Sequence, residues 1–156
     1  MILVTVGTQK FKFDRLFNYI DNITDEEIIV QCGESNHKFN KNVKRFDYIH
    51  YDKMQSYISK CDIFICHTTP SCVFNALKQD KKVITVPRQH KYKEHFNDHQ
   101  MIFGNYLKSM NYCYVVHNEE DFINALKSIN KTKFKKYKKP NNSYINVIKK
   151  DIDSLL

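Results

Sequence analysis

Glycine is scarce in this 156-residue sequence, with three in the whole chain, and tryptophan is absent. Long apolar stretches are missing too. Runs such as "IFIC" and "VITV" fall far short of the roughly 18 residues that a membrane-spanning helix needs, and "MILVTVG" has neither a basic flank nor a cleavage site. The expectation is a cytoplasmic protein without an anchor of its own. Five cysteines at irregular spacing (Cys32, Cys61, Cys66, Cys72, Cys113) form no CxxC pair and no disulfide framework, which points to buried free thiols.

What is present is enough for one domain with a substantial core, since 42% of the residues are hydrophobic. The formal net charge of +8 is unevenly placed: residues 1–121 hold 16 basic and 15 acidic side chains, whereas residues 122–156 hold nine lysines against Asp151 and Asp153. The near-neutral body must carry any chemistry. The basic end speaks to partners such as anionic lipid, nucleic acid or an acidic protein surface.

Short β-branched and apolar runs, "ILVTV", "EIIVQC", "FDYIHY", "DIFIC", "KVITV" and "NYCYVV", read as strands. Helical periodicity falls between them at 13–23, 53–60, 71–79, 95–109 and 119–129; Phe13, Leu16, Phe17, Ile20 and Ile23 share one helical face. Alternating units of this kind predict an α/β fold, a Rossmann-like doubly wound parallel sheet covered on both faces. The polar stretch 33–44 reads as a loop. Residues 1–130 are expected to form the domain. Residues 131–156 read as a basic linker followed by an amphipathic helix, with Ile145, Ile148, Ile152 and Leu155 along one stripe.

In open parallel sheets, ligands bind beyond the carboxyl ends of the strands. Three such ends stand out. Gly7 directly follows the first strand, with the Thr8 hydroxyl and the Gln9 amide beside it. The fourth strand stops at His67, and Pro70 opens a helix with Thr69 placed to cap it; the free N–H donors of such a helix start favour a phosphate. The third is "VPRQHKYKEHFNDHQ", residues 86–100. Its His95 and His99, four apart, have metal-ligand spacing, but no matching pair stands elsewhere and the order is not HExxH. A nucleic-acid patch would want its bases spread over a face, whereas acids and amides are mixed in here. A third reading is a pocket for a polyol, in which carboxylates and amides hold hydroxyl groups while Arg88 faces a diphosphate.

"VTVGTQKFKFDRL" at 4–16, "HTTPS" at 67–71 and the segment 86–100 together resemble, in order and spacing, the soluble half of the split GT-B glycosyltransferases. This family includes the soluble subunit of the two-part UDP-GlcNAc transferase of dolichol-linked oligosaccharide synthesis and its bacterial capsule and exopolysaccharide counterparts. The resemblance covers roughly residues 1–125. It implies a C-terminal-type GT-B domain that binds a UDP-sugar and works with a membrane-anchored subunit carrying the acceptor-binding half. Transfer to a lipid-linked acceptor would occur at the inner face of the plasma membrane; the residues themselves argue for no metal, cofactor or nucleic acid, and the lysine-rich end is suited to peripheral membrane association. By position, Gly7, Thr8 and Gln9 would lie near the diphosphate, with the helix start at Thr68, Thr69 and Ser71 holding its charge. Glu94 would take the ribose hydroxyls, and Asn97, Asp98 and Gln100 nucleotide or sugar hydroxyls. The transferases it resembles invert the anomeric centre in one displacement, which needs a general base, supplied either by the partner or, within this chain, by His67. One departure stands out: Thr68 and Thr69 occupy positions where the family has glycines. Two β-branched side chains there are expected to crowd the diphosphate, which keeps a non-catalytic interaction subunit as the alternative.

Overall fold

The structure, a computed structural model, describes residues 1–138. Six strands alternate with five α-helices: β1 (Ile2–Thr5), α1 (Asp14–Ile20), β2 (Ile28–Gln31), β3 (Lys44–Phe46), α2 (Tyr51–Lys60), β4 (Ile63–His67), α3 (Pro70–Leu77), β5 (Lys82–Val86), α4 (His99–Ser109), β6 (Tyr114–Val115) and α5 (Glu119–Ser128). The strands pair in parallel in the order β3-β2-β1-β4-β5-β6. This is the doubly wound order, and its reversal lies between β1 and β4.

Alternation along the strands sends side chains to two cores. Ile2, Val4, Ile65 and Ile84 pack under α1 and α5 against Phe13, Phe17 and Phe122, whereas Leu3, Phe64, Cys66 and Val83 pack under α2, α3 and α4 against Ile58, Val73 and Leu107. A fully buried Phe or Leu contributes about 2–3 kcal/mol, so the central strands are nearly continuous apolar runs. Helix α4 lies close on the sheet because residue 104 is glycine: a Cβ there would meet Val115 Cγ1 at 2.9 Å and Pro87 Cγ at 3.3 Å. Among the described residues no helix is long and apolar enough to cross a membrane.

Two element boundaries differ from expectation. "FDYIHY" is not a strand: β3 ends at Phe46, Tyr48 and Tyr51 are exposed, and Tyr51 already begins α2. Its apolar look comes from aromatics that face a cleft rather than the core. Helix α4 begins at His99 rather than His95. A 3-10 turn at His90–Tyr92 and a left-handed Lys93 (φ 57°) fold the preceding segment into a loop, which Asp98 closes by accepting a hydrogen bond from the His90 N–H at 2.7 Å. In the stretch read as an exposed linker, Phe134 packs edge-on to Tyr114 and Tyr137 stacks on Phe74. Residues 139–156, which include the stripe from Ile145 to Leu155, lie outside the described residues.

Candidate functional site

The carboxyl ends of β1 and β4 diverge at the reversal and open a cleft of about 470 Å³. Its floor is built around Gln31 at the end of β2. The Gln31 side-chain oxygen accepts from the Thr5 hydroxyl at 2.6 Å and from the Gly7 N–H at 3.1 Å. Its amide donates to the carbonyls of Gly7 at 2.9 Å and Asp47 at 2.8 Å. One buried amide therefore satisfies both backbone groups of the Gly7 turn, which matters because unpaired buried polar groups cost about 1–3 kcal/mol each. Gly7 has φ +75°, and a Cβ there would sit 2.6 Å from the His67 ring. Both the backbone conformation and the space demand glycine.

Across the floor, α3 begins at Pro70. Thr69 occupies the N-cap position but makes no side-chain cap; its hydroxyl pairs with His67 Nε2 at 3.2 Å instead. The first turn of α3 is left without the cap expected for it, and Ser71 and Cys72 line the cleft. His67 is almost wholly buried, and burial, reinforced by the positive charge of Arg88, pushes its pKa down to about 3. The ring is held neutral, and burial opposes the positive charge that proton uptake would create there.

The structure sorts the remaining expected residues into distinct places. Gly7, Thr8, Gln9, His67, Thr69 and Ser71 come together in the cleft. Thr68 does not: its side chain is buried, its hydroxyl bonded to Thr85 at 2.7 Å. The crowding expected of two threonines is therefore reduced to one. Gln100 is also internal, its side-chain oxygen accepting from both Thr68 N–H and Arg88 N–H at 3.1 Å. Arg88 does not face the cleft. It is fully buried, and its guanidinium donates to the carbonyls of Val6, Phe11, Lys12 and Glu94 while lying 4.6 Å over the Phe13 ring. Burial lowers its pKa to about 10, so it stays charged. Glu94 lines a separate, shallower hollow with Lys10, Lys12 and Tyr92. Its carboxylate is held by Arg15 at 2.8 Å through both oxygens and accepts from the Gln89 N–H at 3.0 Å. Asn97 and Asp98 are exposed in the loop before α4. His95 and His99 meet edge to face at 4.7 Å; among the described residues no group of three or more His, Cys, Asp or Glu could hold a metal ion.

Sequence reasoning missed Gln31, Arg15, and the wall made by Tyr48, Tyr51, Gln55 and Asn75. Asn75 had a legible signal: it lies one helical turn beyond Ser71 and so shares its face. Gln31 becomes a floor residue only once β2 is known to pair with β1. A larger hollow of about 620 Å³ runs along edge strand β6 and α5, away from the β1–β4 reversal where such sheets bind ligands, and the smaller cleft is the candidate site.

These features define an open parallel α/β domain with a cleft at its topological switch point. The sequence matches the glycosyltransferase family 28 C-terminal domain over residues 1–156, and the protein belongs to that family. No curated protein matches it in sequence. Among solved structures, that of "the Glycotransferase of kitacinnamycin" superposes with a TM-score of 0.59 over 82% of this chain at 12% identity, a likeness of fold. The chain spans about a third of that structure, 34% of its length.

Proposed function

We propose that the cleft binds the nucleotide of a UDP-sugar and that the chain is the donor-binding subunit of an inverting glycosyltransferase. The observation that carries this reading is the convergence of the Gly7 turn and the uncapped start of α3 on one cleft. Backbone N–H groups and the positive end of a helix are suited to a diphosphate. Gln9, Gln55 and Asn75 offer amides that pair with ribose or sugar hydroxyls. Glu94, beyond the β1–α1 loop, is read as a hydroxyl acceptor that Arg15 holds in orientation. Because His67 is buried and its Nε2 is already paired with the Thr69 hydroxyl, the base that deprotonates the acceptor is read as coming from a membrane-anchored partner carrying the acceptor half. The acceptor is a lipid-linked precursor of bacterial capsule or exopolysaccharide, presented at the inner face of the plasma membrane.

Isothermal titration with UDP and UDP-sugars tests the reading, with Asn75→Ala expected to weaken binding about tenfold. Absence of UDP binding with the partner present as well as absent sinks it. Thr69 in the cleft wall, where the related motif carries glycine, supports the alternative of a non-catalytic interaction subunit. In that case Asn75→Ala leaves the activity of the complex unchanged.

A further inference from the structure

Exposed large hydrophobic side chains are not scattered over the described residues. Tyr48 and Tyr51 belong to the cleft; the others are Phe11, Tyr92, Phe96, Ile102 and Tyr106. Four of these five form one strip. Phe11 lies 5.7 Å from the His95 ring, His95 lies 4.2 Å from Phe96 and 4.7 Å from His99, and His99 shares a face of α4 with Ile102 and Tyr106, three and seven residues on. Phe96 and Ile102 are 67% and 74% exposed. Such a strip is larger than the single exposed apolar residues that need no explanation.

The charge around it says what covers it. Lys10, Lys12 and Lys93 are exposed and line one hollow together with Phe11, and none is in an ion pair among the described residues. Of the nearby acids, Glu94 is buried against Arg15 and Asp98 is tied to the His90 N–H. Protein–protein interfaces are depleted of lysine. Apolar and aromatic side chains interleaved with lysines instead suit the boundary of an anionic bilayer, where the rings and branched chains enter the acyl boundary and the lysine stems reach headgroup phosphates.

We propose that this strip is a membrane-docking surface, with Phe96 and Ile102 inserted into the interface of an anionic lipid bilayer. Gln9 of the cleft is two residues from Phe11, so docking brings the mouth of the cleft to the lipid surface. The proposal does not depend on what the cleft binds.

Because the chain has no tryptophan, Phe96→Trp supplies a single tryptophan at the strip, excited selectively beyond the absorption of the ten tyrosines. The full-length variant is mixed with vesicles of phosphatidylcholine alone or with phosphatidylglycerol. The expected result is a blue-shifted emission with the anionic vesicles, quenched by lipids brominated on their acyl chains. Adding Ile102→Asp is expected to weaken partitioning about tenfold or more, the loss of one inserted aliphatic side chain. Co-sedimentation without blue shift or bromine quenching means that the lysine-rich end alone binds, and overturns the proposal. So does an emission unchanged by any vesicle but shifted by a partner protein. UDP titration of the same variant reports separately on the cleft.

Discussion

Arg15 on α1 and Glu94, 79 residues later, meet in a two-point ion pair with both N···O distances at 2.8 Å and both side chains largely buried. Neither was legible as half of a pair. The consequence is that Glu94 serves the fold as well as any ligand. Removing one partner of a buried pair leaves an uncompensated charge and typically costs about 3–5 kcal/mol. Arg15→Met is expected to lose about 3 kcal/mol in urea unfolding. Arg15→Met combined with Glu94→Leu should lose clearly less than the two single changes added together, a coupling that a double-mutant cycle reads directly.

Gly7→Ala meets two obstacles, a left-handed backbone and the His67 ring. The strained backbone alone costs about 1–3 kcal/mol. His67→Ala added to it is expected to relieve the clash but not the strain, so thermal unfolding of the double variant should fall between the wild type and Gly7→Ala. A double variant no better than Gly7→Ala would mean that the ring is not what fills that space.

The buried neutral His67 makes stability depend on pH. The unfolded chain takes up the proton near 6.5, whereas the folded chain resists it until about pH 3. Its contribution is therefore complete above 6.5 and is lost as the pH falls towards 3. Between pH 7 and pH 5 the loss should be about 2 kcal/mol, read from urea midpoints, and His67→Gln should flatten that slope. His95 and His117, also lowered by burial, add to it in the same direction.

The two threonines after His67 are expected to behave differently. Thr68→Gly removes a buried hydrogen bond to Thr85 and a buried side chain, lowering stability by about 1–2 kcal/mol while leaving UDP affinity unchanged. Thr69→Gly acts in the cleft wall: titration should show UDP affinity rising or falling, with little change in midpoint. An unchanged affinity in Thr69→Gly would remove that residue from the donor site.

The parallel sheet was legible because its central strands β1, β2, β4 and β5 are largely apolar on both faces and its helices periodic, signals that survive without partners. The Gly7 turn and the start of α3 were legible for the same reason, since each follows the end of a strong strand. What escaped was set by neighbours distant in sequence. "FDYIHY" has strand composition, yet its tyrosines point into a cleft that exists only once β2 and α2 are in place. In 86–100, residue type suggested one ligand-facing set, but folding divides it: Arg88 and Gln100 turn inward to carbonyl and N–H partners, Glu94 pairs with Arg15, and Asn97 and Asp98 stay in solvent. A polar side chain reads the same whether its partner is a substrate or its own backbone.

Arg88 reaches carbonyls of the segment after β1 and of the loop after β5. Since these partners are main-chain carbonyls, side-chain changes within residues 6–12 leave them in place, whereas recombination that alters the length of either segment displaces them from the guanidinium.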